Sequence, residues 1–487
     1  MTRTTYTSTQ GAGVDQGFFN GRIYPLLVAL ITLIGFYFRI DYLTNILLIF
    51  LMLWGLFRAN TLRPLFPYLF CIFYQMPRGE NHSESLRFPY LLSGWRLYIL
   101  IPSLAILTIG TFAYLFRIYR QNRKEAKLGV YQKNTLPLLL PTLLFCGAMF
   151  LGGYGAMESY GIWDFLFPLG QLLSYLVIFI IIYRGIEREH TEEILSYIAY
   201  VTMITSWVLV AEFGYLYLSH AFDIGGYFNN NMVSMGFGKR TLVAYHFVAL
   251  IPMQLYGFAK CRGGLIYLVS AIATCAAMLA TFSRNGALMG TASILFCLLY
   301  ITFSKLVKGK RKIFNSIFVI LVFLGTLAVG YKFLDKITIL IQNFSERGFS
   351  DSFRFEQWER CIDAFLEKPL FGLGFYCFEP LEGTWLSTQF SPCMSHNTIF
   401  ELMAKTGAVG LACYLIYRIC TLCVFFRRKD ENKRFLFFVC LPLLLMSLLD
   451  NFMFQMFTTF HYTTALAIAC KIDTEQHMYS GKNNFKI

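Results

Sequence analysis

The stretch SHNTIFELMAKTGAVGLACYLIYRICTLCVFFRRK, residues 395–429, shows how this chain is built. Within it, residues 407–426 form an apolar run long enough to cross the hydrocarbon core of a bilayer as one helix. Basic residues follow the run directly, and a Ser-His-Asn group lies before it. Because lysine and arginine collect on the cytoplasmic side of a membrane, we predict that the basic end of this span is cytoplasmic and the histidine end extracytoplasmic.

The same apolar character extends over the whole chain. Its 487 residues are 56% hydrophobic and 14% charged, with a mean hydropathy of +0.53. A soluble core cannot bury so much apolar surface, so we predict an all-α polytopic membrane protein with about 12 to 14 transmembrane helices. The apolar runs lie near 22–38, 42–57, 61–75, 95–116, 136–155, 163–183, 196–219, 241–259, 264–281, 286–304, 314–333, 407–426, 433–449 and 456–470.

Basic side chains predict the orientation of these spans. They fill three loops, which alternation of the spans places on one side of the membrane. The loops contain Arg117, Arg120, Arg123, Lys124, Lys127 and Lys133; Lys305, Lys308, Lys310, Arg311 and Lys312; and Arg427, Arg428, Lys429, Lys433 and Arg434. This side is predicted to be cytoplasmic and to hold both termini. The net charge of +14 is then mainly a topology signal, and no nucleic-acid partner is expected.

The spans divide the chain into five regions. They are a cytoplasmic N-terminal tail (1–21), an N-terminal transmembrane bundle (22–333), an extracytoplasmic loop (334–397), C-terminal transmembrane helices (398–471) and a cytoplasmic tail (472–487). The N-terminus lacks a short charged leader with a cleavage site, so the first span is expected to serve as the targeting signal.

The long extracytoplasmic loop is predicted to contain an amphipathic helix. Apolar residues recur there at helical spacing, and charged residues occupy the positions between them. The apolar stripe consists of Phe355, Trp358, Ile362 and Phe365. Asp351 or Ser352 is expected to begin the helix, and Lys368 and Pro369 to end it. Such a stripe beside a membrane is expected to lie in the interface or over a groove between spans.

His396 is the best candidate for chemistry in the sequence. Thr398 and Glu401 after it have the spacing of a capping box, in which their side chains bind the unpaired amides of a helix start. His396 is thus expected just outside the positive end of a helix, which attracts anions. An imidazole base and a phosphate group could share this space.

Two arginines are candidates for anion binding on the same side. Arg284 lies in a short turn between two apolar spans, and Arg354 lies at the amphipathic helix. Each has a structural alternative: Arg284 can be an interface residue whose side chain reaches water, and Arg354 a solvated residue of a surface helix. Together with a histidine at a helix start, however, planar guanidinium groups suit a pyrophosphate.

Other kinds of site are not expected. The sequence contains no phosphate-binding loop, dinucleotide fingerprint, zinc spacing or nucleophile elbow, and its seven histidines are scattered, so neither a metal nor a cofactor is predicted. Possible supporting residues of the site are Ser283, Asn397, Arg240 and Asp450. A disulfide among Cys361, Cys377 and Cys393 is possible, but the sequence does not select a pair.

A set of motifs in the C-terminal half resembles the O-antigen ligase and polymerase superfamily of bacterial polysaccharide enzymes. The resemblance depends on their order and spacing more than on any one of them. In chain order the motifs are Ser283, Arg284, Asn285 and Gly286; Arg354, Trp358 and Ala364; the residues KPLFGLG at 368–374; Ser395, His396 and Asn397; and the residues GAVGL at 407–411. The Pro-Asn pair that the superfamily often has further upstream is missing before Lys239.

The resemblance implies a metal-independent glycosyltransferase of the GT-C type in the bacterial cytoplasmic (inner) membrane. The donor would be a glycan on undecaprenyl pyrophosphate, and the acceptor another saccharide on the extracytoplasmic face. Arg284 and Arg354 would bind the pyrophosphate, and His396 would act as base toward the acceptor hydroxyl. No cofactor is implied. A flippase and a chain-length regulator are possible protein partners, and the lipid bilayer surrounds the chain.

Three functions compatible with these residues differ in what is transferred. A polymerase moves a growing glycan onto a new lipid-linked repeat unit, for example in O-antigen, lipopolysaccharide or capsule biosynthesis. A ligase moves the finished glycan to lipid A core or another terminal acceptor. A flippase only moves the lipid-linked unit, and it ranks third because transporters place charges near the midplane, whereas these charges gather at one face. We prefer the polymerase, although no residue decides between it and the ligase.

Overall fold

A computed structural model describes most of the chain. The described residues are 14–59, 61–75, 95–127, 136–154, 168–186, 189–219, 234–235, 238–332, 354–374, 395–427, 429–449 and 456–483. They are helical except for short turns and one antiparallel pair of two-residue strands, β1 (Ser234–Met235) and β2 (Gly238–Lys239).

The N-terminal helices run as far as residue 280. They are α1 (Val14–Asn20), α2 (Ile23–Phe38), α3 (Asp41–Ala59), α4 (Leu65–Cys71, continued by a 3₁₀ turn, Ile72–Gln75), α5 (Trp95–Lys127), α6 (Leu139–Phe150), α7 (Pro168–Gly185, with a π-helical part at Leu173–Val177), α8 (Thr191–Ser219), α9 (Arg240–Lys260) and α10 (Gly264–Ala280).

The remaining helices contain the predicted motifs. They are α11 (Arg284–Phe303), α12 (Lys310–Lys332), α13 (Arg354–Glu367), α14 (Thr398–Phe426), α15 (Glu431–Leu449) and α16 (Met456–Asn483). Helix α14 is bent at Gly407, whose φ of 61° and ψ of −161° are not helical. The part after the bend corresponds to the predicted span 407–426.

Among the described residues, seven helices are long and apolar enough to cross a membrane: α3, α7, α8, α9, α11, α14 and α15. Shorter apolar helices are α2, α4 with its 3₁₀ turn, α6 and α10. The prediction of an all-α polytopic membrane protein is confirmed. The number of spans stays a prediction.

Helix α9 lies at the centre of the bundle. Of its most apolar 18-residue window, 94% is buried, and it packs against α8, α10, α11 and α15. Helices α9 and α11 approach each other closely at Gly286 of α11, which lies against Ala244 of α9. A Cβ atom at Gly286 would come within 2.5 Å of the Ala244 Cβ atom, so a residue without a side chain allows this approach. Small residues at such positions bring helix backbones together and increase van der Waals contact, which stabilises helix pairs in a bilayer.

One end of the bundle, called the basic end here, is defined by Arg63, Lys260, Arg311 and Glu431. Arg63 Nε lies 2.7 Å from Glu189 Oε2. Arg311 donates to the Lys260 carbonyl at 2.8 Å, and the Tyr300 hydroxyl near the end of α11 donates to Glu431 at the start of α15 at 2.6 Å. The first contact joins the turn after α3 to the turn before α8. The other two join the start of α12 to the end of α9, and the end of α11 to the start of α15.

Further contacts place Arg117 and Lys433 at this end. Arg117 donates to the Phe57 carbonyl at 3.0 Å, and Lys433 Nζ lies 3.0 Å from Asp473 Oδ1. Asn20 accepts from Thr61 at 2.5 Å. Described residues of all three basic loops therefore lie at one end of the bundle. Which side of the membrane this end faces stays a prediction.

Candidate functional site

Helices α11 and α15 run antiparallel and thereby place Arg284 at the end of the bundle opposite the basic end. Tyr300 contacts Glu431 at the basic end, whereas Met289, nearer the start of α11, lines a small cavity together with Leu445, nearer the end of α15. The first turn of α11 must therefore lie beside the last turn of α15. We call this end, with the first turns of α9, α11 and α14, the site end.

The turn before Arg284 is held by side-chain caps. The Ser283 hydroxyl accepts from the Gly286 amide at 3.2 Å and is the N-cap of α11. The backbone amide of Ser283 donates to the Thr281 hydroxyl at 3.3 Å. Ser283, predicted as a supporting residue, is thus a buried capping residue. Arg284 itself is exposed at the helix start.

Arg240 lies at the same end. It is the first residue of α9, and Ala244, one turn further, is the residue that Gly286 of α11 approaches. Since Gly286 in turn lies within the first turn of α11, the two contacting helices begin next to each other. The structure thus places Arg240 and Arg284 on adjacent helix starts.

Asn397 joins the start of α14 to the end of α15. Its side-chain oxygen accepts from the Ile399 amide at 2.8 Å and the Phe400 amide at 3.3 Å. Its side-chain nitrogen donates to the Leu448 carbonyl at 2.9 Å. Asn397 is therefore the N-cap of α14. Its bond to Leu448 places His396, the residue before it, beside the last turn of α15. Helix α11 begins next to that same turn.

The predicted capping box is wrong. Thr398 lies inside the first turn of α14, and its buried hydroxyl has no hydrogen-bond partner among the described residues. The Glu401 carboxylate lies 2.5 Å from Lys405 Nζ and accepts from the Ser395 hydroxyl at 3.4 Å. The physical reason is that Asn397 is one residue earlier and can cap two amides while its amide nitrogen also binds a second helix.

His396 lies at the apex of a tight turn. Its φ of 50° is in the left-handed region, and its side chain is half-buried. The Ser395 hydroxyl stabilises the turn by donating to the Asn397 carbonyl at 2.9 Å and accepting from the Asn397 amide at 3.3 Å. A non-glycine residue with positive φ is uncommon and must be held by its surroundings, so His396 has a fixed place just before the helix start.

Helix α13 brings Arg354 to the same turn. The Trp358 indole nitrogen donates to the Ser395 carbonyl at 2.7 Å, and its ring stacks on Phe400 with centroids 5.1 Å apart. Arg354 precedes Trp358 by four residues and therefore shares its helix face. The first turn of α13 thus lies along the Ser395–His396 turn.

The amphipathic helix is present over Arg354–Glu367, but its buried face differs from the predicted stripe. Cys361 and Ala364 are buried against α14, whereas Phe355 and Ile362 are 64% and 41% exposed. Small residues occupy the contact because α13 packs closely on a second helix, which turns the larger apolar side chains outward. The predicted starting residues, 351 and 352, lie outside the described residues.

The segment 368–374 docks on the bend of α14 through backbone hydrogen bonds. The Leu373 amide donates to the Ala404 carbonyl at 2.8 Å, and the Ala408 amide donates to the Pro369 carbonyl at 2.8 Å. At Gly407 a Cβ atom would come within 2.4 Å of the Leu370 carbonyl. The KPLFGLG motif (368–374) and the GAVGL motif (407–411) of the sequence resemblance thus pack against each other.

Sequence reasoning missed the buried ion pair between Glu401 and Lys405. Both side chains are at most 1% exposed, although they lie close to the site end. Their spacing of four residues on a helix was a usable signal for such a pair.

Cys361 lies beside this ion pair. Burial raises the pKa of the Cys361 thiol to about 12, and Glu401 adds to the rise. Cys361 is a buried thiol, and Cys377 and Cys393 lie outside the described residues.

Asp450, predicted as a supporting residue, also lies outside the described residues. In the part of the chain that the structure describes, no three histidine, cysteine, aspartate or glutamate side chains are grouped to hold a metal ion. The candidate site therefore consists of Arg284, Arg354 and His396, with Arg240 and Asn397 next to them.

Comparison with known proteins bears on this region directly. Residues 269–415 match a family model described as O-antigen ligase. The resemblance to the O-antigen ligase and polymerase superfamily is confirmed. The matched segment extends from α10 into α14 and contains all three candidate residues. No curated protein matches the chain. Members of the matched family are glycosyltransferase-like ligases or polymerases that use lipid-linked saccharides in a membrane, and the match therefore supports an enzymatic function in general.

Proposed function

We propose that the protein is a bacterial cell-surface polysaccharide polymerase. It transfers a glycan from undecaprenyl pyrophosphate to a lipid-linked acceptor sugar on the extracytoplasmic face of the inner membrane. The observation that carries this proposal is the placement of Arg284, Arg354 and His396 at one end of the bundle, where α13 packs on α14 and both α11 and α14 pack on α15. The distance of that end from all three basic loops supports an extracytoplasmic site.

The reaction requires no chemistry beyond these side chains. The acceptor hydroxyl attacks the anomeric carbon of the donor, and the bond from that carbon to the pyrophosphate oxygen breaks. The electron pair leaves with the lipid pyrophosphate, whose growing negative charge Arg284 and Arg354 stabilise as planar, permanently charged donors. His396 removes the proton of the hydroxyl as the new glycosidic bond forms.

The neighbouring residues have supporting roles in this proposal. Ser283 holds the first turn of α11 in place and thereby orients Arg284. Asn397 does the same for His396 through its bonds to α14 and α15. Arg240 begins the helix next to α11, where it would add positive charge beside the leaving group.

A ligase is the second candidate, because the matching family model is described as O-antigen ligase. The two functions share the donor and the site and differ only in the acceptor. The purified protein in liposomes should be supplied with the lipid-linked repeat unit alone, or with that unit and lipid A core. A ladder of longer lipid-linked glycans from the unit alone supports the polymerase, whereas product only when lipid A core is present establishes the ligase.

A further inference from the structure

A cavity of about 440 Å³ lies at the basic end, opposite the candidate site. It opens between the starts of α2 and α8 and the turn that joins α9 to α10. Of the described residues, four cationic and two acidic side chains line it. They are Arg22, Arg63, Lys260, Arg262, Glu192 and Glu193. The positive excess in a concave surface favours an anionic ligand.

The acidic side chains only partly neutralise this cavity. Arg63 is paired with the buried Glu189 at 2.7 Å. Glu192 lies 3.3 Å from Lys260 Nζ, and Glu193 lies 3.1 Å from Arg63, but the side chains of these two glutamates are 73% and 61% exposed. Such solvated pairs are weak and are screened by salt. Arg22 and Arg262 form no ion pair with an acidic side chain of the described residues. An entering anion therefore meets two uncompensated guanidinium groups.

Two helix starts add to the positive field. Arg22 and Gly263 are the N-caps of α2 and α10, and neither start has a side-chain cap. The positive ends of both helix dipoles therefore lie at the cavity. The Tyr200 ring lies 5.6 Å from the Arg22 guanidinium carbon and, with Tyr267, forms an aromatic wall.

Apolar side chains beside the two arginines are exposed on the outer surface of their helices. Ile23 and Leu26 on α2 are 63% and 48% exposed, and Ile266 on α10 is 62% exposed. These apolar side chains follow Arg22 and Arg262 closely along the chain. Acyl chains of a lipid could therefore pack against the first turns of α2 and α10 while the headgroup of that lipid enters the cavity.

We propose that this cavity binds the phosphate headgroup of an anionic phospholipid of the membrane leaflet at the basic end. The ligand class follows from the guanidinium groups, the helix starts without a side-chain cap and the adjoining exposed apolar residues. The site is separate from the proposed transfer reaction, because it lies at the opposite end of the bundle. Its role would be to fix the N-terminal helices in their leaflet.

The test uses the full chain purified in detergent, with dioleoyl phosphatidylglycerol and dioleoyl phosphatidylcholine as the probes. Native mass spectrometry measures the affinity for each lipid. We expect the anionic lipid to bind roughly tenfold more tightly, and Arg22→Gln with Arg262→Gln to remove that preference. The matched control, Arg427→Gln with Arg434→Gln, makes the same charge change at the same end outside the cavity and should keep the preference.

Other outcomes would overturn the proposal. Equal binding of the two lipids, or an unchanged preference in the double variant, would exclude the site. Sodium phosphate is tested alone: if it protects the protein against heat as well as the anionic lipid does, the cavity is a site for soluble phosphate instead. The single variant Arg262→Gln, at an exposed turn, repeats the measurement should the double variant not fold.

Discussion

The two ends of the bundle are held together by different interactions. At the basic end, ion pairs such as those of Arg63 with Glu189 and of Lys433 with Asp473 connect helices. At the site end, backbone hydrogen bonds connect the segment 368–374 with α14, and the uncharged side chain of Asn397 connects α14 with α15. The Glu401–Lys405 pair is an exception, and it is fully buried within one helix.

This difference indicates what the cations do at each end. At the basic end they contribute to structure and topology. At the site end, the Asn397 cap and the hydrogen bond from Trp358 to the Ser395 carbonyl hold the turn that contains His396, and neither of these contacts uses a cation. Substitutions of Arg284 and His396 should therefore change chemistry with little effect on folding, and the following predictions test this separation.

The largest effect is expected for His396→Ala. If His396 is the base, the turnover rate should fall about 10²- to 10⁴-fold, while the affinity for the donor stays nearly constant because the arginines still bind the pyrophosphate. Turnover and donor affinity must be measured separately on the purified protein. His190→Ala, the same change at the basic end, is the control. Equal loss of turnover and donor affinity would make His396 a binding or folding residue.

Substitutions of Arg284 are expected to cause the next largest loss of transfer rate. Arg284→Lys keeps the charge but loses the planar fork, and Arg284→Ala loses both. The transfer rate should fall about 10²- to 10³-fold in the alanine variant and somewhat less in the lysine variant, with normal amounts in the membrane. Arg427→Ala at the basic end should retain the rate. Full activity in both Arg284 variants would reduce Arg284 to an anchor at the membrane interface.

The buried pair within α14 should affect stability. Glu401→Gln leaves the Lys405 ammonium buried without its carboxylate, which should cost about 3–5 kcal/mol of unfolding free energy. Thermal unfolding in detergent measures the loss. Glu401→Gln combined with Lys405→Met removes both charges and should recover most of it. If the double variant is no more stable than the single one, the pair is not what stabilises this turn of α14.

A smaller loss of stability is expected for a substitution at Gly407, where α14 is bent. Gly407→Ala places a Cβ atom against the Leu370 carbonyl in a left-handed conformation, and should destabilise the protein by about 1–3 kcal/mol. Gly147→Ala in α6 is a matched control, because a Cβ atom there meets nothing within 4 Å. The melting temperature should fall only for the first variant. An equal melting temperature in both would show that the bend tolerates a side chain.

The sequence predicted the features that depend on neighbouring residues in the chain. The span 407–426, the helix that contains Arg354 and the position of His396 before a helix start all follow from local apolar patterns and polar boundaries. The predicted cap at Thr398 was wrong because Asn397 also binds Leu448, a contact that no local pattern contains.

Contacts between helices could not be predicted either, because no local sequence pattern contains them. The exposure of Phe355 results from the close packing of α13 on α14, which turns Cys361 inward. The proximity of Arg240 and Arg284 depends on how α9 and α11 cross at Gly286. One sequence gives the period of each helix but does not show which helices meet.

The central claim is that α13 and the site end face the extracytoplasmic side, away from the basic loops. Cysteine labelling in intact cells tests it most directly, after the native cysteines have been replaced. Glu359 on α13 and Lys308 at the basic end are both exposed, and each is changed to cysteine in a separate variant. We predict that an impermeant maleimide labels Glu359→Cys in intact cells and Lys308→Cys only in broken cells. The reverse pattern would place the site in the cytoplasm and contradict the proposed reaction.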